Sequence, residues 1–176
     1  GIPVMFISAL ARENLMAVIQ KYPGTDIALD AQNLVDYMDK EHPEIKEAEE
    51  IKQSKILYRL SPSEPHVFAF ILDKKINTNQ LIFNIINFNL DHFDQLNLRV
   101  ALSDLNPMQN LILVRSFASQ QQAMQYLGTI RSSEAVFKDM PSIETTPVAI
   151  SEGNLNILIT DKSADRYLIF FNENYR

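Results

Sequence analysis

The chain has 176 residues, 46% of them hydrophobic and 22% charged, with no cysteine and a net charge of −6. That size and balance allow one domain or two small ones, with a core that needs neither disulfide nor metal. The missing cysteines exclude thiolate zinc sites, iron–sulfur ligation and thiol nucleophiles while leaving the compartment open, and the acidic balance argues against general nucleic-acid binding, which draws on clustered Lys and Arg.

The opening Gly1-Ile2-Pro3 has neither an initiator Met nor a basic leader region. It reads as an internal boundary of a longer protein, with a tag remnant at Gly1 and any signal peptide upstream. Residues 5–52 read as helical. Met5, Phe6, Ala9 and Leu10 form one apolar stripe, and Leu15, Met16, Val18 and Ile19 another. Tyr22-Pro23-Gly24-Thr25 stops that helix, because Pro cannot continue it and Gly supplies a left-handed cap. Thr25 or Asp26 caps the next helix, whose stripe is Ile27, Ala28, Ala31, Leu34, Val35 and Met38. His42-Pro43 breaks it, and Glu44 to Gln53 is a charged helical stretch or linker. Asp26 to Lys52 holds nine acids against three bases, while the rest of the chain holds 13 of each, so the acidic bias belongs to one solvated segment.

Ser61-Pro62-Ser63-Glu64-Pro65 reads as a domain boundary, dividing a helical segment with linker, residues 1–60, from a second domain, residues 61–176. Val67 to Leu72 is apolar on both faces, the pattern of a central strand covered on two sides. Asn77-Thr78-Asn79 offers caps for an amphipathic helix carrying Leu81, Ile82, Ile85, Ile86, Phe88, Leu90 and Phe93. Leu98 to Leu102 is a strand, Asn106 to Asn110 a turn, and Leu111 to Val114 a second central strand. Ser119 caps a helix with Ala123, Met124, Leu127 and Ile130. Val136 and Phe137 anchor the following loop, Pro147 to Ile150 is the last strand, and Leu155 to Tyr175 forms closing helices. The fold class is therefore α+β: a helical hairpin, then strand–helix–strand–strand–helix–strand, the ferredoxin-like pattern with right-handed crossovers, then the closing helices. The two internal helices cover one sheet face, and the closing helices, the N-terminal helices or a partner protein cover the other.

Chemistry-bearing patterns are sparse. His42, His66 and His92 show no i, i+4 pairing, so they read as surface or capping residues rather than metal ligands. With four glycines in the chain and no GxGxxG, Walker or GxSxG pattern, phosphate-cradling loops and a nucleophile elbow are excluded. Asp91 and Asp94 are three apart but lack a local apolar pocket to separate their pKa values, so they read as helix-surface acids. A catalytic reading would need a composite polar pocket around His66 or His92. Asn84, Asn87, Asn89 and Asn97 cluster around the first core helix although Asn forms helices poorly; they either present a hydrogen-bonding surface or tie the helix to neighbouring backbone. Phe68 and Phe70 could stack on RNA bases as sheet aromatics do, but in a doubly apolar strand they fit a core better.

Two resemblances follow from local signatures. Ala9, the stretch Ile19-Gln20-Lys21-Tyr22-Pro23-Gly24-Thr25, and Ala28 and Ala31 resemble the close of a tetratricopeptide repeat. From His66 to Tyr175 the chain is similar to the C-terminal domain of Bacteroidetes-type tetratricopeptide-repeat envelope proteins, the group that includes lipoproteins of gliding motility and type IX secretion. The carrying residues are Phe70-Ile71-Leu72, Asn84 to Asn89, Leu96-Asn97-Leu98, Leu113 to Phe117, Val136-Phe137, Ala149-Ile150-Ser151 and Tyr167 to Phe171. The resemblance implies a non-catalytic scaffold at the periplasmic or outer-membrane face, without cofactor or metal. It would hold cell-envelope proteins and no nucleic acid, and Phe68, Phe70, Asn84, Asn87 and Arg115 are the candidate partner-binding residues. A second likeness, Leu111 to Arg131 to half of a sporulation-related (SPOR) repeat, implies peptidoglycan binding as the alternative. No apolar run approaches the roughly 20 residues that span a bilayer.

Overall fold

The computed structural model describes residues 4–140 and 143–176, with side chains from residue 8 onward. The reading of Gly1-Ile2-Pro3, and the Met5 and Phe6 part of the first stripe, lie outside what is described. The chain divides into two compact units, one ending at Ile56 and one running from Leu57 to Arg176. Among the described residues there are seven α-helices and one four-stranded antiparallel sheet, an α+β protein.

In the first unit, α1 (Val4–Lys21) and α2 (Asp26–Glu41) form a hairpin, and α3 begins at Pro43 and continues to Leu57. The Tyr22–Thr25 turn works as its residues dictate. Gly24 takes φ +76°, which an L side chain adopts at a cost. Thr25 Oγ1 accepts from the Ala28 amide at 3.2 Å and donates to the Tyr22 carbonyl at 2.7 Å. Ala28, Ala31 and Val35 make the buried stripe of α2, and small residues there let the helices approach closely. Arg12, itself buried, clamps Asp39 through two bonds of 2.7 and 3.1 Å. The charged stretch after His42 is a helix, with Pro43 at its first position, where the missing N–H is not needed.

The second unit runs β1 (His66–Asp73), α4 (Thr78–Phe93), β2 (Arg99–Asn106), β3 (Gln109–Phe117), α5 (Gln120–Ile130), β4 (Thr145–Ser151), α6 (Glu152–Asp161) and α7 (Ala164–Asn174). The strands lie in the order β2-β3-β1-β4, all neighbours antiparallel. Asn77, Ser119, Ser151 and Ser163 cap their helices through side-chain oxygens. Pairing of Phe68 with Val114 and Ala149, and of Phe70 with Ile112 and Pro147, puts these residues on one sheet face. That face meets α4 and α5: Tyr126 packs edge-on to Phe68 at 5.0 Å and lies 5.9 Å from Phe88. The opposite face, with Val67, Ala69, Ile71, Val148 and Ile150, is met by α6 and α7. The closing helices are thus the cover of the second face. Tyr58 belongs to this unit, 5.0 Å from Tyr167 and 5.6 Å from Phe170, and Arg59 exchanges two backbone bonds with the Asn154 carboxamide. Hence the unit begins before the Ser-Pro-Ser-Glu-Pro break on which the sequence reading placed the boundary.

Two glycine substitutions should act in opposite directions. Gly24→Ala forces a Cβ onto a left-handed residue and should lower unfolding free energy by about 1 kcal/mol. Gly128→Ala, inside α5 with open space at the Cβ position, should raise it by about 0.5 to 1 kcal/mol. Urea unfolding monitored by circular dichroism checks both.

Candidate functional site

The five residues singled out from the sequence do not converge. Phe68 and Phe70 have no exposed surface; each is locked in an aromatic contact, Phe70 with Phe137 at 5.8 Å and Phe68 with Tyr126. Their assignment as partner-binding residues is corrected, because the strand that carries them is sealed on both faces, and stacking on bases falls with it. Arg115 is partly exposed on β3 and ion-paired to Glu152 of α6 at 3.4 Å, so its charge helps fasten the covering helix. Asn84 and Asn87 do share a surface, on the outward side of α4.

That outward side holds the feature the sequence reading missed. Phe83, Ile86 and Leu90 are 59%, 42% and 63% exposed, and their i, i+3, i+7 spacing aligns them in one ridge. Leu81, Ile85 and Phe88 turn inward to the sheet. Ile86 and Leu90 were expected in the core-facing stripe; α4 is apolar around most of its circumference, so only part of it can face the sheet. No charged side chain occurs between Ile76 and Leu90. That uncharged run was the available signal, since a helix with a purely solvated outer face carries charges there. Two hollows flank the ridge: one of about 260 Å³ lined by Ile86, Leu90, Phe93 and Leu98, and one of about 340 Å³ lined by Phe83, Asn84, Asn87, His92 and Lys138. Asn84 is held in place by donating to the Val136 carbonyl at 3.0 Å and accepting from Gln80 at 2.8 Å. Asn87 is exposed. Asn89 is instead structural, its Oδ1 accepting from the buried Tyr126 hydroxyl at 2.6 Å. Asn97 takes a left-handed conformation that ends the short turn after α4.

The histidines separate into two kinds. His42 and His92 are exposed, and His42 Nδ1 lies 3.2 Å from Glu44. His66, expected as a surface or capping residue, is wholly buried. Its Nδ1 is 2.7 Å from the Glu64 carbonyl, which can only accept, so Nδ1 carries the proton and Nε2 accepts from the Tyr175 hydroxyl at 2.9 Å. Burial pushes the His66 pKa below its ordinary value of 6.5, with the Glu64 carbonyl pulling the other way. Burial also raises the phenols of Tyr58, Tyr126, Tyr167 and Tyr175, which keeps them neutral donors. His66–Tyr175 and Tyr167 to the Ala149 carbonyl tie strands to the closing helix segment, Tyr126 joins α5 to Asn89 of α4, and the Tyr58 hydroxyl is buried without a hydrogen-bond partner. Among the described residues no group of three or more His, Asp and Glu side chains is placed to hold a metal ion, and no helix is long and apolar enough to cross a membrane.

No protein family model, no curated protein and no solved structure matches the chain.

Because the folded state holds His66 neutral below the pH at which the unfolded chain protonates it, stability should fall as pH drops through about 6.5. It should go on falling until the lowered folded-state value is reached, at up to about 1.4 kcal/mol per pH unit for this group. Urea unfolding between pH 7.5 and pH 5 should show a steeper loss in the wild type than in His66→Gln; parallel losses would remove His66 as the cause.

Proposed function

We propose that the chain is a non-catalytic interaction module whose second unit presents α4 to protein partners. The observation that carries this reading is the ridge of Phe83, Ile86 and Leu90, which stands outward, is uncharged along its length and is bordered by the carboxamides of Asn84 and Asn87. Large apolar side chains aligned on a solvent face mark interaction sites in stable proteins, and carboxamides at the rim can donate and accept to fix orientation. Three of the buried polar pairs serve structure: His66 with Tyr175, Tyr126 with Asn89, and Tyr167 with the Ala149 carbonyl.

The second unit is read as ferredoxin-like. Its β–α–β–β–α–β order and its β2-β3-β1-β4 antiparallel arrangement support that reading. The first unit is read as a tetratricopeptide-like hairpin, supported by the α1–α2 pairing through Ala28 and Ala31 around the Tyr-Pro-Gly-Thr turn. With the similarity of residues 66–175 to repeat-containing envelope proteins, the setting proposed is a scaffold among cell-envelope proteins.

Glycan binding is the second reading, favoured by one observation. A groove of about 870 Å³ beside α5 is lined by Ser63, Ser119, Gln120, Gln121 and Gln125 together with Pro62, Met124 and Arg176, and Gln120 Oε1 is buried with no protein partner. Neutral carboxamides and hydroxyls suit sugar hydroxyls. Sedimentation with purified peptidoglycan at low salt tests it, and a chain that stays in the supernatant ends it.

For the favoured reading, the triple variant Phe83→Ser/Ile86→Ser/Leu90→Ser changes side chains that are 59%, 42% and 63% exposed, so it should still fold, with unfolding free energy lowered by about 1 to 2 kcal/mol through lost partial burial and the lower helix propensity of Ser. Affinity capture from envelope extracts should then lose the proteins that the wild type recovers. Recovery of the same proteins in the same amounts by the variant would refute the α4 assignment.

A further inference from the structure

The acidic segment of the chain carries an exposed apolar helix face. On α2, Ile27, Leu34 and Tyr37 are 65%, 53% and 64% exposed. At 3.6 residues per turn, Ile27, Leu34 and Met38 fall within about 40° of one another around the helix. On one side of this stripe lie Ala28, Ala31 and Val35, already buried in the hairpin. On the other side, in the same angular order, lie Glu41, Asp30, Tyr37 and Asp26. Asp26, Asp30 and Glu41 are exposed and make no ion pair among the described residues, whereas Asp39, on the buried side, is already matched by Arg12.

A surface built this way selects its occupant by charge. An acidic or neutral helix laid along the stripe would face three carboxylates with nothing to offset them, and a second copy of α2 would bring its own acids against them. A helix with an apolar stripe edged by Lys or Arg meets both features at once, the apolar residues over Ile27 and Leu34 and the cations over Asp26, Asp30 and Glu41. The acids extend over 15 residue steps, about 22 Å of helix, so the occupant spans about four turns. We propose that α2 docks a cationic amphipathic helix of about 15 residues, with the apolar stripe supplying affinity and the acidic rim supplying orientation and speed of encounter. This face is separate in sequence and in chemistry from the uncharged ridge on α4.

The probe is a fluorescently labelled synthetic peptide of leucines and lysines in an amphipathic helical pattern, with a counterpart in which glutamate replaces lysine, read by anisotropy on the full chain. The lysine peptide should bind, less tightly as salt is raised, and the glutamate peptide should not. Ile27→Ser/Leu34→Ser should weaken the lysine peptide by at least about tenfold, and Asp30→Lys/Glu41→Lys should weaken it and flatten its salt dependence. Phe83→Ser/Leu90→Ser should leave it unchanged. All these side chains are exposed, so matching circular dichroism spectra are expected. Unaltered affinity in Ile27→Ser/Leu34→Ser would overturn the proposal, as would equal binding of the glutamate peptide or loss of binding in the α4 variant instead. None of those results would by itself remove the α4 reading, which stands on its own variant.

Discussion

The architecture of the second unit depends on one strand. Every residue of β1 from His66 to Leu72 is buried, and a strand buried on both sides must be covered twice. Phe68 and Phe70 direct the first cover, drawing in Tyr126 of α5 and Phe137. Val67, Ala69 and Ile71 direct the second, which α6 and α7 complete with Leu155, Leu158, Tyr167 and Phe170. Fully burying a large apolar side chain contributes about 1.5 to 3 kcal/mol, so a free face on this sheet would be a large penalty in the isolated chain. Filling both faces of β1 leaves the outward sides of the helices and the largely exposed edge strand β2 as surfaces open to partners, and α4 carries an uncharged apolar one.

The polar groups inside the unit act as fasteners. His66 sits where β1 begins and Tyr175 where α7 ends, so one hydrogen bond joins residues 109 positions apart in sequence. Asn154 near the start of α6 holds both backbone groups of Arg59. At the other end of that helix the Lys162 carbonyl accepts from Asn106 of the β2–β3 hairpin at 3.0 Å. The Asn154 bonds satisfy half-buried backbone groups of Arg59, each of which would otherwise destabilise the fold by about 1 to 3 kcal/mol, and the His66–Tyr175 bond satisfies two buried side chains.

Much of this was legible because local rules were obeyed. Thr25, Asn77 and Ser119 cap as their residue types require, Gly24 takes the left-handed turn, and the doubly apolar run at Val67–Leu72 became the central strand. What escaped the sequence was direction. A helix such as α4, apolar around most of its circumference, has no unique inward side until the sheet beneath it is in place, so Ile86 and Leu90 were assigned to the core. The same ambiguity split the α2 stripe into buried Ala28, Ala31 and Val35 and exposed Ile27 and Leu34. Phe68 and Phe70 were misassigned for a related reason: a strand's own pattern says that two covers are needed, not which distant helices supply them. The burial of His66, read from sequence as a surface or capping residue, depends on Tyr175, far along the chain.

The central claim is that aromatic surface is sealed in the sheet and presented on α4. It can be read directly by fluorine NMR of the chain labelled with 4-fluorophenylalanine, with resonances assigned by substitution and a soluble paramagnetic chelate added. The account predicts strong broadening of the Phe83 resonance and none for Phe68 or Phe70. Broadening of Phe68 and Phe70 together with protection of Phe83 would contradict it.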